Sequence, residues 1–227
     1  MPQRTCIVIG AAKKGIEHSL LSGYVHLEGP DRAAVYCADG GLSRAETLGI
    51  RPDVLIGDFD SIEAKDFRSS SNAIHKSGAK SIKRLPAEKD ETDLFACVLD
   101  GLKSGFKKFI LIYCTGGRLD HFMGAIALLD YINGQGAEGI LLDQQNEITL
   151  LSKGALIIKA DKRYPYLSLM PLDNQLTGVS MTGVKYPLLD AVVLRESGIG
   201  ISNEILGDEA SISIKEGSAL IIKSRDL

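Results

Sequence analysis

KFILIYCTGGRLDHFMGAIALLDYI, residues 108 to 132, holds one complete structural phrase. It begins with a near-continuous apolar run of the kind that suits a strand covered on both faces. Two glycines break the run, and the remainder places apolar residues at helical spacing. The same phrase recurs on either side. Apolar runs ending in Gly and Asp stand at TCIVIG (5 to 10), AAVYCADGG (33 to 41), DVLIGDFDS (53 to 61), SIKRLP (81 to 86) and GILLDQQN (139 to 146). Helical patterns stand at TDLFACVLDGLKSGF (92 to 106) and, more briefly, at LSRAETLGI (42 to 50). Strand alternating with helix implies right-handed crossovers and a parallel, doubly wound, Rossmann-like α/β sheet, although G-x-G-x-x-G is absent.

After about residue 148 the rhythm changes. EITLLSKG, GALIIKA, YLSLMPL, GVSMTGVKY, DAVVLRES, EASISIKEG and SALIIKS are short alternating segments separated by turn residues. This pattern predicts an antiparallel β-sandwich. The expected organisation is an α/β domain over residues 1–147 followed by an all-β sandwich domain over residues 148–227.

Composition narrows the function. At 44% hydrophobic and 24% charged, the chain has the makings of an ordinary core. A net charge of -3 removes the electrostatic basis of nonspecific nucleic-acid binding, so no nucleic-acid partner is expected. No apolar stretch approaches a membrane span, and MPQRTCIVIG is too quickly polar for a signal peptide, so a soluble cytoplasmic protein is expected. Cys6, Cys37, Cys97 and Cys114 sit singly in apolar runs without zinc-ligand spacing, which reads as buried small hydrophobes in a reducing compartment.

In open parallel sheets, ligands collect beyond the carboxyl ends of the strands. Asp39, Asp58, Asp60, Asp90, Asp93 and Asp120 all fall just past a predicted strand, on what should be one rim. Two carboxylates 4 Å apart repel by roughly 4 kcal/mol at an effective dielectric near 20, so their convergence calls for a cation. With no Cys or His cluster beside them, a hard oxygen-seeking ion such as Mg²⁺ is favoured over zinc, commonly bridging substrate phosphates.

Within GDFDS, residues two apart in an extended chain face the same side, so Asp58 and Asp60 can share an ion while Phe59 turns into the core. The same pentapeptide also reads as a solvated Asx-turn; the acids at equivalent positions elsewhere favour the metal. KDETD (89 to 93) opens a helix in which Asp90 makes a good N-cap and Asp93 is the preferred ligand, with Lys89 the better cationic candidate beside them. In TGGRLDH (115 to 121), Gly116 and Gly117 permit close approach to phosphate and Arg118 can fork onto its oxygens, against the alternative of a tight turn with a solvated Arg. Gly40 and Gly41, with Arg44, can likewise present backbone amides to an anion. Lys13 and Lys14 read equally as phosphate contacts and as a solvated loop, and His121 reads as structural.

ADGG, GDFDS, KDETD and GGRLDH, in this order and spacing, resemble the thiamine pyrophosphokinase family, bacterial type. The likeness extends through DQQNEI (143 to 148), TGVKYPL (182 to 188) and SNEI (202 to 205). It implies a homodimer converting ATP and thiamine to AMP and thiamine diphosphate, with active sites shared between subunits. It further implies Mg²⁺ ligands at Asp39, Asp58, Asp60 and Asp93, and Thr92, Arg118 and Asp120 near the phosphates or the attacking alcohol. Ser202 and Asn203 are implied as thiamine contacts; Tyr186, standing where animal and fungal relatives stack a tryptophan that this chain lacks, reads equally as the thiamine-stacking residue in its stead and as an aromatic packed in the β-sandwich. Two rival readings are a pyrophosphokinase with another acceptor and a noncatalytic thiamine or nucleotide sensor.

Asp58→Asn or Asp60→Asn is expected to reduce turnover sharply while leaving the fold intact. Steady-state rates across a Mg²⁺ titration, with circular dichroism as folding control, check this; near-normal activity refutes the ligand assignment.

Overall fold

Runs of Val, Ile, Leu and Cys suit strands covered on both faces, and five of the strands in the first half of the chain are buried along nearly their whole length. The computed structural model describes residues 4–29, 31–59, 78–86, 88 and 90–226. The chain divides into two compact units, Met1–Gln144 and Gln145–Leu227.

In the first unit, strands β1 (Thr5–Ile9), β2 (Ala34–Ala38), β3 (Val54–Gly57), β4 (Ser81–Arg84), β5 (Lys108–Ile112) and β6 (Glu138–Leu142) are all parallel. Their order is β6-β5-β1-β2-β3-β4, so the direction of winding reverses between β1 and β5. Ile7, Ile9, Phe109, Ile110 and Leu111 are fully buried at the centre of the sheet. Edge strand β4 is mostly exposed and carries Lys83 and Arg84, charges that discourage pairing with another sheet. All four cysteines are buried free thiols, and burial pushes Cys37 and Cys114 up to about 12.

Four helices connect these strands among the described residues: α1 (His18–Leu21), α2 (Gly41–Leu48), α3 (Asp93–Lys103) and α4 (Leu119–Gly134). The short α1 has no counterpart in the sequence pattern. Helix α2 ends at Gly49, whose φ of 68° makes the left-handed turn that glycine tolerates best. Helix α3 rests on β1, β2 and β3, and α4 on β6. The cap of α3 is Thr92, whose hydroxyl accepts from the Phe95 amide at 3.2 Å; Asp90, the expected cap, lies two residues too early.

Asp53 ties the amino ends of the strands together. Its carboxylate accepts from Arg32 Nη1 and Nη2 at 2.9 and 2.6 Å and from the Val35 amide at 3.0 Å, and Lys80 Nζ stands 3.0 Å away. Burial pushes its carboxyl up, but Arg32, the Val35 amide and Lys80 outweigh that effect and hold it below the usual carboxylate range.

The second unit is antiparallel throughout and built on two long strands, β7 (Asn146–Lys159) and β12 (Glu209–Ser224), paired along both their lengths. The pairing slips between Ile214 and Ser218, beside Gly217 at φ 102° and Gly154 at φ 143°. Before the slip β12 also pairs with β9 (Gln175–Thr182), and after it with β8 (Tyr166–Pro171). Strand β10 (Leu188–Leu194) adds to β9, and the two-residue β11 (Asn203–Glu204) to β8. The core gathers Leu167, Leu169, Leu176, Val179, Met181 and Ile212. The sequence segments ending at Gly154 and Gly217 were expected to be separate strands, yet each glycine sits inside one bent strand. A strand glycine marks a bulge as readily as a turn.

Asp53→Asn is expected to cost about 3 kcal/mol at pH 7, because it leaves Arg32 beside an uncompensated buried site. The stabilisation is present above the ordinary aspartate value of about 3.9 and is lost as pH falls through the lower folded value. Urea unfolding of both proteins at neutral and strongly acidic pH checks this: the difference should shrink in acid.

Candidate active site

Past the carboxyl ends of the parallel strands lies a cavity of about 1160 Å³. The segments following β1, β2, β3 and β5 contribute to its wall, as do the first turns of α3 and α4. This is where the strand order reverses, and crossover loops diverge there to leave a crevice.

The backbone at this rim is strained in a consistent way. Asp39, Phe59 and Tyr113, which follow β2, β3 and β5, adopt φ values of 34°, 64° and 56°. Left-handed backbone is costly for residues bearing a Cβ, and such residues cluster at functional sites. Neighbouring glycines make room for it. A Cβ on Gly57 would stand 3.0 Å from the Asp39 Cα, and one on Gly15 would stand 2.0 Å from the Tyr113 ring. Phe59 is 1% exposed, as its apolar character demands, but its left-handed φ means that the GDFDS stretch is not extended there. The side-by-side geometry expected for Asp58 and Asp60 therefore does not follow from strand pleating.

Asp39, Asp58 and Asp93 all line the cavity and are half-buried. Asp60 and Lys89 lie outside the described residues. Among the described residues, no three His, Cys, Asp or Glu side chains are grouped closely enough to hold an ion by themselves. Thr92, Gly116, Gly117, Arg118 and Asp120 line the same cavity. Arg118 and Asp120 are exposed and bonded to each other, with Nε donating to Oδ1 at 3.1 Å. The Arg118 guanidinium, joined by the His121 amide, holds the Asp120 carboxyl below the usual carboxylate range. A carboxylate so stabilised is a poor proton acceptor and a good fixed charge.

Gly40, Gly41 and Arg44 stand apart from this wall. Gly41 serves packing: a Cβ there would be 2.2 Å from the Ile9 carbonyl, so its absence lets α2 approach β1. Arg44 is half-buried with its guanidinium 6.0 Å from the Tyr113 ring centroid.

Sequence reasoning overlooked two features. The Thr115 hydroxyl donates to the Asp143 carboxylate at 2.6 Å, a buried bond joining the exits of β5 and β6 immediately before the two glycines. Their signal was a polar residue at the end of each apolar run. Phe95 and Tyr131, with ring centroids 4.8 Å apart, give the cavity an apolar end. Their signal was an aromatic residue on each of the two helices beside the acids.

In the second unit, Tyr186 is 59% exposed. Ser202 is exposed at φ 55°, its amide donating to the Ser168 hydroxyl at 3.0 Å. Asn203, expected as a thiamine contact, is instead 1% exposed with its amide turned to the main chain of Tyr186.

Thr92→Ala is expected to lower stability by about 1 kcal/mol through loss of the α3 cap, whereas Thr92→Ser retains most of it. Thermal unfolding of the three proteins provides the measurement.

Residues 30–139 match the family described as thiamin pyrophosphokinase, catalytic domain, and residues 155–219 match thiamin pyrophosphokinase, vitamin B1 binding domain. The thiamine pyrophosphokinase of Bacillus subtilis (strain 168) is 32% identical over 225 residues, covering 97% of this chain and 98% of that protein. A crystal structure of thiamine pyrophosphokinase from Bacillus subtilis superposes with a TM-score of 0.87 at 30% identity, covering 99% of this chain and 100% of the other. That from Geobacillus thermodenitrificans gives 0.83 at 29% identity, covering 98% of each chain. With near-complete coverage, two matched domains and an acid-lined cavity at the sheet's switch point, the chain belongs to the thiamin pyrophosphokinase family.

Proposed function

We infer that this protein is an ATP-dependent enzyme that transfers pyrophosphate to the hydroxyl of thiamine, giving thiamine diphosphate and AMP. One observation carries the site assignment: Asp39, Asp58, Asp93, Arg118 and Asp120 line a single cavity within the stretch matched by the family's catalytic domain. The Rossmann-like unit is read as the nucleotide half and the β unit, as a sandwich, as the vitamin half. The first turns of α3 and α4 open onto the cavity, and helix amino ends favour phosphate.

The acids suit Mg²⁺ carried on ATP. Mg²⁺ is commonly held by one or two carboxylates, with substrate phosphates and water completing its shell, so a three-ligand protein cage is not required. Asp39, Asp58 and Asp93 supply oxygen donors for it on the cavity wall, with Asp60 the fourth candidate from the sequence. Asp39, Asp58 and Asp93 would hold Mg²⁺ bound with ATP, which would supply neutralisation of phosphate charge.

In the reaction, the thiamine hydroxyl oxygen forms a bond to the β-phosphorus of ATP and loses its proton to solvent, while the bond from that phosphorus to the oxygen bridging the α-phosphate breaks and AMP leaves with that oxygen. Alignment and charge neutralisation do most of the work in such transfers. Arg118 exchanges its Asp120 partner for phosphate oxygens, the bidentate geometry that guanidinium favours. Gly116 and Gly117 let phosphate approach the main chain, and Thr92 orients the first turn of α3 beside it. Lys89 is the further cationic candidate.

The β unit presents Leu189 at 86%, Leu206 at 71%, Ile157 at 64% and Val192 at 56% exposure, apolar surface that supports a homodimer. Free, buried cysteines support a cytoplasmic setting. No helix among the described residues is long and apolar enough to cross a membrane.

Incubation with ATP, Mg²⁺ and thiamine should yield AMP and thiamine diphosphate in equal amounts; ADP with thiamine monophosphate would overturn this reading. In the same assay Asp93→Asn is expected to lower kcat by ~100-fold or more, the scale of losing one transition-state electrostatic contact.

A further inference from the structure

Asn203 has its side chain wholly buried and almost wholly spent. Its Oδ1 accepts from the Tyr186 and Glu204 amides, both at 3.0 Å, and its Nδ2 donates to the Tyr186 carbonyl at 2.8 Å. An amide oxygen has two lone pairs and the nitrogen two hydrogens, so at most one N–H is left, on a residue only 1% exposed.

Both backbone polar groups of one residue are thus bound by one side chain. Tyr186 lies in the connection between β9 and β10, outside any strand. Next to it, Lys185 N donates to Glu204 O at 2.9 Å, Leu206 N donates to Gly183 O at 3.0 Å, and Val184 bridges Ile205. The Asn203 amide extends this short ladder by one further rung and removes the rotational freedom of the Tyr186 main chain. The partner segment is itself held, because Ser202 is kept at φ 55° by the Ser168 hydroxyl.

The clamp aims a ring. In the stretch matched by the vitamin B1 binding domain, residues 155–219, the aromatic side chains are Tyr164, Tyr166 and Tyr186. Tyr164 is 3% exposed and Tyr166 is half-buried, whereas Tyr186 is 59% exposed. Lys185 Nζ stands 5.6 Å from the Tyr186 ring centroid and is paired with Glu204 at 2.7 Å. Thiamine offers a flat aminopyrimidine and a cationic thiazolium, both suited to an aromatic face.

We propose that Asn203 is a positioning residue that clamps the main chain of Tyr186 and so sets the ring against which thiamine is held, rather than touching thiamine itself. The proposal rests on the reading that the β unit binds thiamine at Tyr186. Such a clamp acts through its target, so its effect disappears when the target is gone.

Asn203→Ala is expected to raise the KM for thiamine by about tenfold, to leave the KM for ATP within about twofold, and to speed hydrogen exchange at the Tyr186 amide. Tyr186→Ala should raise the thiamine KM similarly, and adding Asn203→Ala to it should change that value by less than about twofold. A full-sized effect of Asn203→Ala in the Tyr186→Ala background overturns the clamp while leaving thiamine at Tyr186. An unchanged thiamine KM in Tyr186→Ala overturns the underlying placement, and the clamp with it. Should Asn203→Ala fail to fold, Asn203→Ser, which keeps a small polar group, supports the same comparison.

Discussion

Parallel strands deliver all their exits to one rim, and at that rim the chain must turn sharply without closing the crevice. Here the turn is made three times by residues that resist it. Asp39, Phe59 and Tyr113 each adopt a left-handed backbone, at a cost of order 1 to 3 kcal/mol apiece, offset by main-chain bonds at Asp39 and Tyr113 and by burial of the Phe59 ring. The Asp39 amide donates to the Ile56 carbonyl at 2.9 Å, and the Ala12 amide to the Tyr113 carbonyl at 2.9 Å. The wall segments that follow β2, β3 and β5 pass through these exits. A relaxed chain would carry Asp39 onward along its strand instead of into the cavity wall.

The two ends of the sheet treat acidic groups differently. At the amino end, Asp53 is buried and fully engaged by Arg32, Lys80 and the Val35 amide, so its charge stabilises the fold. At the carboxyl end, Asp39, Asp58 and Asp93 face an open cavity large enough for a nucleotide. Arg118 and Asp120 are exposed partners on the same wall, and an exposed pair contributes little to stability and is easily exchanged for a substrate anion.

The second unit solves a different problem. Two long strands, β7 and β12, are bent by glycines so that one strand serves two neighbours along its length. That economy leaves a short connection between β9 and β10 outside the ladder, and Asn203 supplies the hydrogen bonds the ladder would have provided. A polar side chain is thereby consumed inside the unit, while the neighbouring Tyr186 ring is left in solvent.

Alternating apolar runs and helical patterns were enough to specify six parallel strands, the helices α2, α3 and α4, and the convergence of several acids on one rim. Those are consequences of local periodicity and of the direction in which parallel strands run. The four-residue α1 was invisible because one helical turn has no period to detect. Gly154 and Gly217 were ambiguous because a bulge and a turn use the same residue. The roles of Gly41, Thr115 with Asp143, and Asn203 were decided only by tertiary structure. Each depends on what another part of the chain, between 17 and 32 residues away, brings within a few ångströms. A linear pattern records which groups a segment offers, but hydrogen-bond partners and close approaches are set by the register between segments, which no segment contains by itself.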